Sequence, residues 1–316
     1  MAAREFEVIY RWFAGLGAGD PVALGVGDDA AILDLPAGYQ MVVSTDTLVE
    51  GVHFPPETLP EDIAYRAVAT AASDLAAMAA APLGMTLALT LPEADDLWLH
   101  GFSQGLAAAV ADTGLPLVGG DTTQGPLTLS VTVMGAVPKG QALLRSGAKV
   151  GDRLWVTHTL GDAAAALAML QGELADTWLP EFDHQDWLID RFNRPTPRLD
   201  FALGLRGRAT ACIDISDGLL ADARHIADAS GVALHIDAQQ IPLSAALTDC
   251  PNRDLVLRWA LTGGDDYELL FTLPPDLDAP PECTLIGEVR SGSGVHCDHP
   301  AANPGAGGHL GYAHFH

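Results

Sequence analysis

Six acidic turns are spread through this chain, and several stand directly after a short apolar run. They are Gly25-Val-Gly27-Asp28-Asp29, Ser44-Thr45-Asp46, Ser73-Asp74, Gly119-Gly120-Asp121, Asp214-Ile-Ser216-Asp217-Gly218 and Gly263-Gly264-Asp265-Asp266. An apolar run that stops at glycine and aspartate reads as a strand delivering a carboxylate to the rim of a sheet. Glycine lets backbone approach a ligand closely. Aspartate's short reach suits a hard divalent cation that keeps waters and bridges phosphates. A single Gly-Asp reads as a surface turn or a helix N-cap; six instances over both halves are harder to dismiss. Asp74 lies in Ala67-Val-Ala-Thr-Ala-Ala-Ser-Asp74-Leu-Ala-Ala-Met78, a helical stretch with almost no other polar side chain. Burying an unpaired carboxylate there would cost several kcal/mol in order of magnitude. It therefore faces water or has a partner, either a metal ion or a neighbouring helix that it caps.

Periodicity gives the organisation around these turns. Phe6, Ile9, Tyr10, Phe13 and Leu16 predict an amphipathic helix over 4–17, and 60–80 and 94–113 read as two more helices. Gln40 to Ser44 reads as a short strand ending in Thr45-Asp46-Thr47. Met85 to Leu91, Leu115 to Val118 and Leu127 to Val137 read as further strands. The turn-rich Gly147-Ala-Lys-Val-Gly151-Asp152 places a domain boundary near 149, giving domains 1–149 and 150–316. Beyond it come strands at 153–157, 209–213, 267–273 and 283–289, and helices at 161–172, 184–193, 197–206 and 217–229, with a strand, loop and helix reaching 261. The tail from Ser291, with His296, His299, His309, His314 and His316, reads as a Gly/Pro-rich loop rather than a transition-metal site. Strands and helices alternate without strict βαβ order, which predicts an α+β protein of two domains with mixed or antiparallel sheets.

Composition removes several classes of function. Forty-one acids against 16 basic residues leave a formal net charge of -25. With only two lysines, Lys139 and Lys149, and no basic cluster, neither nucleic acid nor an anionic membrane is an expected partner. Cys212, Cys250, Cys283 and Cys297 form no C-x-x-C pair and read as reduced cytosolic thiols. The N-terminus does not read as a signal peptide, and the alanine-rich run 67–82 is too short and polar to span a bilayer. P-loop, Rossmann, protein-kinase and G-x-S-x-G signatures are all missing. A phosphate-handling enzyme without a P-loop lysine must meet phosphate charge with metals, backbone amides and a few arginines. Arg145, in Leu143-Leu144-Arg145-Ser146-Gly147, is one candidate, and a surface ion pair is its alternative role.

The strings Gly27-Asp-Asp-Ala-Ala-Ile-Leu and Ser44-Thr-Asp-Thr-Leu-Val-Glu-Gly-Val-His53-Phe54 resemble the opening of the thiamine-monophosphate kinases. The likeness runs on in order through Ser73-Asp-Leu-Ala-Ala-Met, Val118-Gly-Gly-Asp-Thr-Thr, Arg145-Ser-Gly-Ala, Asp214-Ile-Ser-Asp-Gly-Leu, Gly263-Gly-Asp-Asp-Tyr-Glu-Leu and Gly311-Tyr-Ala-His-Phe. The Thr-Asp-Thr-Leu-Val-Glu-Gly-Val-His-Phe and Gly-Gly-(acid)-Asp-Tyr-Glu-Leu strings are the specific ones. The others are shared with the wider aminoimidazole ribonucleotide synthetase superfamily.

This resemblance implies ATP-dependent conversion of thiamine monophosphate to thiamine diphosphate, assisted by several magnesium ions. By the same resemblance, Asp29, Ser44, Thr45, Asp46, Asp74 and Asp121 would bind magnesium in the first domain, and Asp214 and Asp217 in the second. Gly120, Asp121, Arg145 and Ser216 would contact ATP. His53 would contact thiamine monophosphate, with Asp265 and Tyr312 at the thiamine end, and Asp28 would only shape its turn. No catalytic base is implied, because the attacking phosphate oxygen is already ionised. The resemblance also implies an N-terminal domain that dimerises through its sheet, a C-terminal α+β domain completing an active-site cleft, and a cytoplasmic homodimer.

Four departures from the family pattern stand out. Asp265 occupies a position where glutamate is usual, which shortens its reach by one methylene. Ala79 and His158 stand where glycine is usual, so altered local packing is expected. Ser103 replaces a tyrosine that some members place near adenine. The rival readings are another ATP-dependent enzyme of the superfamily, or a non-catalytic protein that binds magnesium and nucleotide. A selenophosphate synthetase would want a reactive cysteine near its N-terminus, whereas the first cysteine here is Cys212.

Overall fold

In a computed structural model the chain divides into two compact units, Met1–Ala142 and Leu143–His316. The structure describes residues 7–17, 19–27, 29–174, 178–302 and 310–312. Asp28, His309, His314 and His316 lie outside the described residues.

The first unit is built on a four-stranded sheet. It contains β3 (Tyr39–Val49), β4 (Ala81–Leu91), β5 (Leu117–Gln124) and β6 (Thr128–Pro138), after a small β1–β2 pair (Val22–Leu24, Ile32–Leu33). The spatial order is β3-β6-β4-β5, with β4–β5 parallel and the other pairs antiparallel. Helix α1 (Pro60–Ala77) lies on β3 and β6 and against α2 (Asp96–Thr113). Pro60 opens α1 with Glu61 and Asp62 in its first turn, where acids favour the positive end of the helix dipole. Its alanines are buried almost all round. Asp95 caps α2 by accepting from the Trp98 N–H at 2.8 Å.

Two strands correct the sequence reading. The expected strand Gln40–Ser44 runs on to Val49, so Thr45-Asp46-Thr47 lies inside it. The strand expected to stop at Val118 carries Gly119-Gly120-Asp121 within it. The full ladder to β6, from Tyr39↔Pro138 to Val49↔Thr128, satisfies the backbone of these polar residues as well as it does apolar ones. The expected helix at 4–17 is, over its described part, a π turn (Ile9–Phe13) followed by a 3-10 turn (Ala14–Leu16).

The second unit holds a six-stranded mixed sheet in the order β12-β9-β11-β7-β10-β8. Its strands are β7 (Arg153–Thr157), β8 (Ala211–Asp214), β9 (Ala233–Ile236), β10 (Leu269–Leu273), β11 (Cys283–Arg290) and β12 (Gly294–Cys297). Only the β12–β9 pair is parallel among these strands. Strand β12 corrects the expectation of a loop: Val295 sits beside Leu234 and packs on the core, which repays ordering the tail. Leu154, Val156, Ile213, Leu270 and Ile286 build that core with helices α6 (Leu219–Ser230) and α8 (Arg253–Thr262). A second cluster around Leu188 and Phe192 joins α3 (Asp162–Leu170) and α4 (Phe182–Asn193). The short α5 (Leu199–Leu203) stops at Gly204, well before 206, and α7 (Ala245–Thr248) is a single turn. The α+β expectation with mixed sheets therefore holds.

Ala79 and His158 have φ of 51° and 43°, both in the left-handed region. Ala79 follows the α1 C-cap, with its N–H on the Ala76 carbonyl at 2.9 Å. A non-glycine residue at each of these positions therefore carries backbone strain.

Candidate active site

In the first unit the antiparallel register decides which side chains can meet. Ser44, Asp46 and Leu48 stand opposite Val133, Val131 and Leu129, all three buried residues on the face that α1 covers. Ser44 Oγ donates to Asp74 Oδ2 at 2.5 Å, tying β3 to α1. Burial, and then the neighbouring Asp74 charge, push Asp46 up from 3.8 to about 6. Thr45 alternates to the other face, where its hydroxyl pairs with that of Thr132 at 2.8 Å. The structure thus joins Ser44, Asp46 and Asp74 and turns the Thr45 side chain away from them.

Asp29, Gly120 and Asp121 line a pocket of about 630 Å³, with Ile9, Tyr10 and Phe13 on an apolar side. Gly120, at φ 153°, is required by the neighbouring strand, because a Cβ there would drive into the Leu87 carbonyl oxygen. Asp121 is exposed and accepts from the Thr122 N–H at 2.9 Å. His53 follows a turn after β3, and its Nδ1 accepts from the Val49 N–H at 3.0 Å. That bond places the proton of the neutral ring on Nε2.

In the second unit β8 delivers the buried Asp214, and residues 215–218 lead into α6. Asp222, on the first turn of α6, was not among the residues singled out from sequence, yet it organises this loop. Its Oδ2 accepts from the N–H groups of Ser216, Asp217 and Gly218 at 3.0, 3.1 and 3.1 Å. Burial, then Asp214 and Asp217, push Asp222 up to about 7. The only signal for it in sequence is an acid in the first turn of a helix that opens just after Asp217-Gly218. Gly218, at φ 125°, packs against the main chain of Thr262 and Gly263, where any side chain would collide.

Two further segments dock on the same loop. The Asp265 and Tyr267 N–H groups donate to the carbonyls of Ser216 and Ile215 at 2.9 and 2.8 Å, and the Tyr312 N–H donates to the Asp217 carbonyl at 3.0 Å. Asp214, Ser216, Asp217, Asp265 and Tyr312 are therefore brought together. Arg145 stands apart from that group with its guanidinium exposed. Its carbonyl accepts from Ser230 Oγ, which in turn accepts from the N–H groups of Gly147 and Ala148.

Neighbouring acids in the Asp265-Asp266-Tyr267-Glu268 run have different tasks. Glu268 is fully buried, receiving Arg198 Nε at 2.7 Å, Arg191 Nη2 at 2.9 Å and Thr157 Oγ1 at 2.5 Å. Asp266 is buried too, with both oxygens on the Gly161 N–H, and burial raises it well above the usual carboxylate range. Nearby Glu268, Asp266 and Asp162 hold the Arg191 guanidinium charged against the opposing effect of burial. Asp266 and Glu268 are anchors. Among the described residues no three His, Cys, Asp or Glu side chains form a group able to hold a metal ion on their own.

Comparison with known proteins identifies the architecture. Residues 27–137 match the N-terminal domain of AIR synthase related proteins, and 149–297 match the C-terminal domain. Over 275 residues the chain is 47% identical to the thiamine-monophosphate kinase of Salmonella typhimurium, covering 87% of this chain and 84% of that one. The chain belongs to the thiamine-monophosphate kinase family. Within this family, the crystal structure of thiamine-monophosphate kinase from Stenotrophomonas maltophilia K279a is 48% identical, with a TM-score of 0.82 over 88% of this chain and 92% of that one. AaThiL complexed with AMPPCP and TMP is 33% identical, with a TM-score of 0.80 over 92% of each chain.

Proposed function

We propose that this chain transfers the terminal phosphoryl group of ATP directly to thiamine monophosphate, giving ADP and thiamine diphosphate. One observation carries the reading: a thiamine-monophosphate kinase family chain spans AaThiL, complexed with AMPPCP and TMP, over 92% of both lengths. The acidic side chains support it, because they offer hard oxygen donors in both units. The half-buried Asp46–Asp74 pair is of the kind a divalent cation relieves, since burial and the Asp74 charge both raise the cost of ionising Asp46.

In this reading Asp29, Ser44, Thr45, Asp46, Asp74 and Asp121 hold magnesium in the first unit, and Asp214 and Asp217 in the second. Thr45 serves through its main chain, because its side chain faces Thr132. Gly120, Asp121, Arg145 and Ser216 contact the nucleotide; His53, Asp265 and Tyr312 contact thiamine monophosphate. Magnesium, when bound, neutralises phosphate charge and orients the two phosphates for in-line transfer. The attacking phosphate oxygen is ionised at neutral pH, so the chain needs no general base. His53 fits that chemistry, since its Nδ1 is committed to the Val49 N–H and its Nε2 proton is suited to a phosphate oxygen.

In this reading residues 1–149 supply most of the metal and nucleotide contacts, and 150–316 supply Asp214, Ser216, Asp217, Asp265 and Tyr312. Strand β3 is an edge strand with Tyr39, Met41 and Val43 at 38%, 55% and 53% exposure, a surface suited to a second copy of the same sheet. A cytoplasmic homodimer fits four free cysteines, and among the described residues no helix is long and apolar enough to cross a membrane.

The deciding assay mixes purified protein, magnesium-ATP and thiamine monophosphate and follows thiamine diphosphate by chromatography. Turnover with another phosphorylated small molecule, and none with this one, would overturn the substrate and leave the reaction class.

A further inference from the structure

The Asp265–Glu268 run alternates between a partly open and a buried environment, and it does so on a strained backbone. Asp265 and Tyr267 have φ of 70° and 51°, a conformation that costs an ordinary residue about 1–2 kcal/mol. Two sets of bonds hold it there. Outside, the Asp265 and Tyr267 N–H groups are strapped to the carbonyls of Ser216 and Ile215. Inside, Asp266 sits on the Gly161 N–H, and Glu268 is clamped by Arg191 and Arg198. What this arrangement achieves is a specific contact two residues apart, in which the Tyr267 hydroxyl donates to Asp265 Oδ1 at 3.1 Å.

We propose that Tyr267 is a positioning residue for thiamine monophosphate, acting through the Asp265 carboxylate, with the Arg191–Arg198–Glu268 cluster as the anchor that holds both in place. The inference rests on the reading of Asp265 as a substrate contact. Thiamine offers a carboxylate two things, an aminopyrimidine N–H donor and a cationic thiazolium ring. Either gains most from an acceptor whose orientation is set before the ligand arrives. Aspartate has fewer torsions than the glutamate usual at this position, and the phenol commits one of its two oxygens. The shorter side chain is therefore offered in a fixed orientation rather than by reach.

Tyr267→Phe removes one hydroxyl and keeps the ring, so the fold survives. Steady-state kinetics with thiamine monophosphate and magnesium-ATP should show the KM for thiamine monophosphate rising about tenfold, with the KM for ATP unchanged; one charge-assisted hydrogen bond has that order of worth. Asp265→Asn should raise the same KM, and the double variant should be no worse than Asp265→Asn alone. An unchanged KM for thiamine monophosphate in Tyr267→Phe, effects that add in the double variant, or equal changes in both KM values would each overturn the proposal. A wild-type protein that does not turn over thiamine monophosphate would instead overturn the substrate reading on which it rests.

Discussion

Replacing Asp46 by asparagine should make this protein more stable and inactive at once. The wild-type carboxylate ionises at about 6 rather than 3.8 because it is half-buried beside Asp74. A rise of that size corresponds to about 3 kcal/mol of differential interaction. Solvent reaches the pair, so screening reduces the usable figure to about 2 kcal/mol. The sign follows from linkage. A folded carboxyl whose pKa is raised binds more protons than the unfolded one between 3.8 and about 6. Its contribution favours folding at low pH and is lost as pH climbs through that window. Above it the wild type carries the full repulsion, and asparagine carries none.

Thermal unfolding in EDTA at pH 8 should therefore place Asp46→Asn above wild type by about 4–8 °C, taking roughly 2–4 °C per kcal/mol. At pH 4.5, inside that window, the gap should narrow, and it should close only below 3.8, where the carboxyl is protonated in folded and unfolded chain alike. Saturating magnesium and ATP should raise the wild-type Tm and leave the variant nearly unmoved. Formation of thiamine diphosphate should be abolished. A variant less stable than wild type at pH 8 in EDTA, or one that keeps its turnover, would refute the account of this pair as stored repulsion awaiting a cation.

Ala79→Gly and His158→Gly should each stabilise by about 0.5–1 kcal/mol, because relief of the left-handed strain exceeds the entropy that glycine adds to the unfolded chain. The urea midpoint reads this. Asp222→Ala should cost about 3 kcal/mol by orphaning buried N–H groups, and it should weaken magnesium-dependent stabilisation. Isothermal titration with magnesium-ATP checks the second effect. Val43→Asp on the exposed face of β3 should give a monomer in sedimentation experiments while leaving the secondary structure by circular dichroism unchanged.

The sequence pattern located the acidic turns and did not show how the fold uses each of them. Asp214 does end a strand, whereas Ser73-Asp74 lies within helix α1. Yet Asp46 and Asp121 lie inside strands, because a ladder satisfies backbone amides whatever the side chains are, and polarity alone gives no stop signal. Once β3 is known to continue, period-two alternation puts Ser44 and Asp46 on one face and Thr45 on the other. The roles of Asp266, Glu268 and Asp222 depend on contacts with Gly161, Arg191, Arg198 and a loop preceding α6, most of them far away in the chain. Nothing in the local string separates Asp265 from Asp266. The left-handed backbone at Ala79 is equally hidden, since glycine would have announced it and alanine does not.

The structure supplies a physical criterion for sorting the acids of a chain with a net charge of -25. Glu268 is wholly buried and matched by two guanidinium groups, so its charge is spent on holding the fold. Asp46 is partly open, and what shapes its ionisation is burial and another carboxylate, with no cation contributing. An arrangement of the second kind lowers the stability of the free protein, and selection tolerates such a cost where it serves function. The two kinds also differ in what a ligand can do for them. In the proposed reading magnesium would relieve the Asp46–Asp74 repulsion and gain binding energy from doing so. It can gain nothing at Glu268, where the compensating charge is already in place.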